Sequence, residues 1–281
     1  MVNIQDSKFK MQMKRFFITI CLLMVAGVVV AEEDTTAQTA VEPVVECAPA
    51  SSEAMWDAAN TAYINNEYAQ AETIYHEILA TGEQSAKLYY NLANACFKQN
   101  ELGRAILFYH RALRLNPGDA DVRYNLSVAE ARTKDTIDRI PEFFLSTWMR
   151  ALRHTMSATT WSVLSILALV AMLSLVLFYL LAQRLSLRKV GFYGMLAALL
   201  LFVLTTWFAA AGRAEQLNDE EAVVMSLSAA VKASPDSAAT DLFVLHEGTV
   251  VEITGRLGDW CEVMIADGKK GWTESRKIEV I

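Results

Sequence analysis

Hydrophobic and polar positions change their spacing along the chain, and each spacing predicts a different kind of element. Residues 16–30 form an apolar run behind Lys14 and Arg15 that closes on Val29, Val30 and Ala31. A basic flank, an apolar centre and a small residue at the exit predict a signal peptide over 1–31, cleaved after Ala31; an uncleaved anchor is the alternative reading. Between 52 and 136 apolar residues recur every three or four positions, the spacing of amphipathic helices. Residues 161–182 and 192–211 carry no charge. At about 1.5 Å of rise per residue each crosses an apolar layer of roughly 30 Å, which predicts membrane spans over 161–182 and 191–211. Beyond 222 the period becomes alternating, in segments such as 249–253, leading into a bend at Gly255, and 259–265. Short alternating segments separated by Gly and Asp predict a small barrel of about five or six strands over 222–281.

The helical region matches itself at an offset of 34 residues. Trp56 falls on Tyr90 and again on Tyr124, Asn60 on Asn94, Asn66 on Asn100, Ala71 on Ala105, Tyr75 on Tyr109 and Leu79 on Leu113; Asn91 and Leu92 recur as Asn125 and Leu126. A fixed period of this length marks a stacked helical array, in which each unit buries its apolar face only against its neighbours. These positions resemble the tetratricopeptide repeat (TPR) family. Ala59, Ala93 and Ser127 fill its small site at the helix crossing, Ala71 and Ala105 its second small site, and Pro117 closes the second repeat. The expected repeats are 52–85 and 86–119, with a capping helix over 119–136. Asn66 and Asn100 stand where the family usually has glycine, and Asn tolerates the left-handed conformation that the turn requires.

The resemblance implies a concave face lined by the first helix of each repeat. Positions three or four apart on those helices are Trp56, Asn60 and Tyr63, then Tyr90, Asn94 and Phe97, with Lys87 and Lys98 beside them and Tyr124 and Arg132 on the cap. Asn side chains offer a donor and an acceptor to an extended peptide, and aromatics supply contact area. The cations suit a carboxylate terminus or an acidic segment. The chain's own acidic tether or its membrane-proximal segment competes for the same groove.

The run VKASPDSAATDLFVLHEGTVVEI, followed by GDWCEV and GKKGWTESRKIEVI, resembles the bacterial SH3-like domain over 222–281. Val231, Leu245, Val251, Ile253, Val263 and Ile278 would fill its core. Trp260 and Trp272 either line a ligand surface or belong to the barrel itself. Before the first span, residues 137–157 hold Phe143, Phe144, Trp148, Met149 and Leu152 interleaved with Arg150 and Arg153. That pattern predicts an amphipathic helix lying on the bilayer or packed under the repeats. The loop 183–190 carries Arg184, Arg188 and Lys189 and is expected in the cytoplasm. Arg150, Arg153 and Arg213 at the opposite ends weaken that charge argument, so the topology rests on the signal peptide.

Composition then narrows the function. The net charge is −7, and residues 32–86 contain neither Lys nor Arg, which argues against nucleic acid as a partner. Residues 32–51, rich in Glu, Thr, Ala and Pro, read as an acidic flexible tether. Cys47, Cys96 and Cys261 lack the adjoining His signature of a cysteine nucleophile, His76 and His110 share one register on successive repeats, and no metal or phosphate-loop motif occurs. The expectation is therefore no catalysis, no cofactor and no metal. Cys47 could bridge between molecules in an oxidising envelope or be a solvated bystander.

The order of these parts, together with the stretch YYNLANACFKQNELGRAILFYHRALRLNPGDADVRYNLSVAEART, resembles the Bacteroides aerotolerance protein E family. The resemblance implies a multidomain membrane protein: all-α TPR helical repeats, a two-helix transmembrane hairpin and a C-terminal all-β SH3-like barrel. It further implies an inner-membrane scaffold with both water-facing domains periplasmic. Its partners would be von Willebrand A-domain membrane proteins and a MoxR-type ATPase. A cell-wall-binding anchor, in which the SH3-like domain contacts peptidoglycan, is the alternative.

Overall fold

The computed structural model describes residues 51–137, 143–217 and 220–281. The expected leader, the tether up to residue 50 and Cys47 lie outside the described residues.

Two helix pairs form the repeats: α1 (Ser52–Ile64) with α2 (Tyr68–Ala80), and α3 (Ala86–Lys98) with α4 (Leu102–Leu115), followed by α5 (Ala120–Glu130). Helix starts are set by oxygen caps. Ser51 Oγ accepts from the Ala54 N–H and Ser85 Oγ from the Leu88 N–H, while Asp119 accepts from Asp121 and Val122. Ala59, Ala71, Ala93 and Ala105 are fully buried where the helices cross. Ser127 is exposed instead, because α5 has no paired second helix to cross it. Asn66 and Asn100 both adopt φ of 64°, and among the described residues they are the non-glycine residues in the left-handed region. Helix α5 ends at Glu130, short of the expected 136, because the chain leaves the helix to place Asp135 against the sheet.

The apolar segments form α7 (Ala158–Leu181) and α8 (Leu185–Gln216), each long and apolar enough to cross a membrane. They pack as a hairpin through Trp161 on Phe208, with centroids 4.8 Å apart, and a Ser165–Thr206 hydroxyl pair at 2.7 Å. The turn expected over 183–190 contracts to 182–184. Nothing between Leu185 and Val190 breaks a helix, so α8 resumes as soon as the chain has reversed. Ahead of the hairpin, α6 (Phe144–Arg153) buries none of its residues and leaves Phe144, Leu145 and Trp148 exposed, along with the preceding Phe143.

The C-terminal domain is a seven-stranded antiparallel sheet, ordered β3-β2-β6-β5-β4-β1-β7. Its strands are β1 (Glu221–Val224), β2 (Ala229–Lys232), β3 (Asp241–Leu245), β4 (Val250–Leu257), β5 (Trp260–Met264), β6 (Lys270–Glu274) and β7 (Ile278–Val280). This exceeds the five or six expected. Strands β1 and β7 are too short to show clear alternation, and β4 continues through Gly255 as a bulge rather than stopping at a bend. Both ends of the sheet feed one core: Leu245 of β3, Val231, Val251, Ile253 and Val263 are buried together, with Ile278 of β7 packed against them.

The sheet docks on α4. Strand β1 is buried on both sides: Ala222 and Val224 enter the sheet's own core, whereas Val223 joins the repeat core with Ile281. Arg111 Nη2 donates to the Val280 carbonyl at 2.7 Å, and Arg114 donates to the carbonyls of Ile281 and Gln216. The Gly103 N–H donates to Glu247 at 2.9 Å. Gly248, at φ of 85°, approaches Ile106 and Thr133 so closely that a Cβ would stand 2.8 Å from each. Asp135 accepts from the His246 N–H and the Thr249 hydroxyl, both at 2.7 Å, and pairs with His246 Nδ1 at 2.6 Å.

Two predictions follow from these contacts. Asn100→Val should cost about 1–2 kcal/mol, because a β-branched residue resists positive φ, while Asn100→Gly should be neutral or stabilising; chemical denaturation measures both. Burial raises the Asp135 carboxyl, but the hydrogen bonds from His246 and Thr249 outweigh it and hold the group below its usual 3.8. Its stabilisation of the dock is therefore complete above that unfolded value and is lost as pH falls through the folded one. Amide exchange at residues 246–249 should speed up in that acid window, and Asp135→Asn should remove most of the pH dependence.

Candidate peptide-binding groove

The first helices α1, α3 and α5 present the expected residues along one face. Trp56, Asn60 and Tyr63 of α1 and Tyr90, Asn94 and Phe97 of α3 are half-buried, Lys87, Lys98 and Arg132 are exposed, and Tyr124 is 69% exposed. Beneath them sit the second-helix tyrosines. Trp56 meets Tyr75 edge-on with centroids 5.9 Å apart, and Tyr90 lies 6.2 Å from Tyr109. Two cations rest on groove aromatics: Lys87 Nζ is 5.4 Å from the Trp56 ring centre, and the Arg132 guanidinium is 4.4 Å from that of Phe97. Each lies within the range at which a ring face attracts a positive charge. The face is thus aromatic at its floor and basic along its sides.

The asparagines do something that the repeat pattern alone did not reveal. Asn60 Oδ1 accepts from the Tyr75 hydroxyl at 2.8 Å and from Asn91 Nδ2 at 3.1 Å. One repeat on, Asn94 Oδ1 accepts from the Tyr109 hydroxyl at 2.5 Å and from Asn125 Nδ2 at 3.2 Å. Asn125 also donates to the Tyr90 hydroxyl at 2.9 Å. A ladder of tyrosine and asparagine therefore stitches each first helix to its partner and to the next repeat. The acceptor side of Asn60 and Asn94 is occupied by this ladder, and what each can still offer an incoming peptide is its amide N–H. Burial pushes the Tyr75 hydroxyl up to about 12 despite the opposing Asn91 contact, and burial likewise raises Tyr109, assisted by Tyr90. Both stay protonated donors. The signal for Asn91 and Asn125 was present in the 34-residue match, which also carried Tyr75 onto Tyr109.

The second helices hold a different cluster. Glu72, Cys96 and Glu101 bring one ligand atom each within 4.8 Å of one another. The Arg104 guanidinium already bridges Glu72 and Glu101, and Gln99 donates to Glu72 at 2.5 Å, so the cationic place is filled by the chain itself. Burial pushes the Cys96 thiol up to about 12, which keeps it from acting as a thiolate ligand. His76 and His110 have separate surroundings: His76 meets Arg104 at 2.8 Å, and His110 lies 3.8 Å from Glu130. Burial, then Arg104, lowers the pKa of His76. Cys261 is buried beside Ser275, at 3.2 Å.

On the sheet, Trp272 pairs with Glu262, and Trp260 with Glu274, so both indoles stand on the same outer face of β5 and β6, diagonal to each other and half-buried.

Comparison with known families agrees with this architecture. Residues 86–119 match the tetratricopeptide repeat, and residues 228–279 match the bacterial SH3 domain. No curated protein matches the chain. A tetratricopeptide repeat and a bacterial SH3 domain in one chain suggest a protein-interaction adaptor, with protein partners for the repeats.

Asn94→Ala should cost about 1–3 kcal/mol, because it strands the buried Tyr109 hydroxyl. Tyr109→Phe in the same background should recover part of that loss, which thermal unfolding of the double mutant checks.

Proposed function

We propose that the chain is a non-catalytic adaptor of the inner membrane whose periplasmic repeat groove holds a segment of a partner protein. The observation that carries this reading is the placement of the groove. Both water-facing domains meet the same end of the α7–α8 hairpin, where Gln216 and Arg114 exchange backbone and side-chain hydrogen bonds at 2.9 Å. A groove held there is presented at a fixed height above the bilayer. The exposed Phe143, Phe144, Leu145 and Trp148 suit immersion in the outer leaflet surface and leave the groove clear of α6.

Resemblance to the Bacteroides aerotolerance protein E family supplies the partner class: a von Willebrand A-domain membrane protein, working beside a MoxR-type ATPase. Lys87, Lys98 and Arg132 favour an acidic or carboxylate-terminated segment. A second reading, peptidoglycan contact through the sheet, draws on Trp260 and Trp272 sharing one outer face.

A photo-crosslinking residue at Tyr124 in native membranes tests the proposal, with Thr73 on the opposite helices as control. An adduct with a von Willebrand A-domain protein, lost on Lys87→Glu with Lys98→Glu, is the expected result. An adduct confined to this chain's own residues 32–51, or equal labelling from Thr73, would contradict it.

A further inference from the structure

We infer that the recess at the turn end of the α7–α8 hairpin is a headgroup site for a phospholipid of net negative charge, its phosphate held by Arg188 and Lys189. The recess has a volume of about 310 Å³ and is lined by Tyr179 of α7 and by Leu185, Arg188, Lys189, Phe192 and Tyr193 of α8. The inference rests on the membrane reading of α7 and α8, but not on which side of the bilayer the turn faces. It goes beyond an adaptor role, which requires no particular lipid.

Charge is the first argument. Residues 143–214 contain neither Asp nor Glu. Along α8, Glu215 lies roughly 40 Å from Arg188 at about 1.5 Å of rise per residue. Among the described residues Arg184, Arg188 and Lys189 therefore meet no carboxylate, and the contact that Arg188 makes is with the Tyr179 ring, 5.2 Å from the ring centre. A ring face draws on the charge of a guanidinium without consuming its fork of N–H donors, which matches phosphate oxygens in pairs. The opposite end of the hairpin is different, because there Arg153 is engaged by Glu215 at 2.7 Å.

Shape and depth are the second argument. Leu185, Arg188, Lys189, Phe192 and Tyr193 are spaced three or four positions apart along one face of α8. Tyr179 closes the recess from α7 because the two helices nearly touch there: a Cβ on Gly191 would stand 3.1 Å from the Tyr179 Cα. The Tyr179 and Phe192 ring centres are 6.2 Å apart, and those of Phe192 and Tyr193 5.6 Å. Tyrosines near the end of a span sit at headgroup level, which sets the two cations at the depth of lipid phosphates. Leu196 and Leu200 continue the same face at the same spacing and are 53% and 72% exposed, a track for an acyl chain.

These features select the headgroup. An anionic headgroup brings a phosphate and no cation, and a basic recess between spanning helices suits it. Ethanolamine and choline headgroups bring a positive charge that the cations of the turn repel. A free phosphate would satisfy the cations but leaves the rings and the apolar track without a partner.

The test is native mass spectrometry of the full chain released from nanodiscs containing equal parts of phosphatidylglycerol, phosphatidylethanolamine and phosphatidylcholine of one acyl composition. Retained phosphatidylglycerol should exceed each of the others by about tenfold, the effect of a hydrogen bond between charged groups. Arg188→Gln and Lys189→Gln should each cut that preference about fivefold, the worth of one cation at a membrane surface, whereas Arg184→Gln should change it by less than about twofold. Arg184 carries the same charge in the same turn but lies outside the recess, and all three side chains are exposed, so each variant keeps the hairpin folded. An equal loss from Arg184→Gln would reduce the preference to surface charge and overturn the site, as would equal retention of the three lipids by the wild type. Displacement of the lipid by inorganic phosphate at constant ionic strength would assign the recess to a soluble anion and overturn the lipid. Failure of the chain to enter nanodiscs at all would overturn the membrane reading and the site with it.

Discussion

From Ala222 to Val224 strand β1 has no solvent-facing side, and the arrangement of the molecule depends on that constraint. Ala222 and Val224 complete the core of the sheet while Val223 completes the core of the repeats, so three consecutive residues belong to two hydrophobic interiors. A strand buried on both faces reads as an unbroken apolar run rather than an alternating one, and the sequence Ala222-Val223-Val224-Met225 has that form. Around it, polar contacts fix orientation. Arg111 and Arg114 cap the edge of the sheet at Val280 and Ile281, and Asp135 receives both the backbone and the ring of His246. Apolar burial supplies most of the attraction there, and the charged contacts supply direction.

The groove owes its openness to this dock. The sheet covers α4, a second helix of the repeat pair, and so leaves the faces of α1, α3 and α5 free. The same α4 carries Arg114, which ties the end of α8 to the repeats through Gln216. One helix thus joins the array to the sheet on one side and to the hairpin on the other. Rigid presentation of a groove lowers the ordering cost of capturing a flexible segment, which is the physical advantage of building an adaptor this way.

Much of this was legible in the sequence, and the reasons are local. The offset that carries Asn66 onto Asn100 marked both tight turns, because few residues other than glycine accept that backbone. The buried alanines at 59, 71, 93 and 105 were legible because close helix crossings exclude larger side chains. Ser127, matched by the same period, lies exposed because the period could not say that the array stops there. The dock was not legible. Asp135 and His246, like Arg111 and Val280, are separated by more than a hundred positions and carry no periodic signal. The tyrosine–asparagine ladder falls between these cases: its members repeat at the right interval, but only their placement shows that the asparagine oxygens face inward rather than toward a ligand.

Hydrogen exchange on the full chain in a bilayer mimic, comparing the wild type with Val223→Asp, tests the shared strand most directly. A single interlocked body predicts that amides of α4 lose protection together with those of β1 and β4, because a charge at that position breaks both interiors at once. If protection falls only within the sheet and α4 exchanges as before, the two domains are independent and the dock does not hold the groove in place.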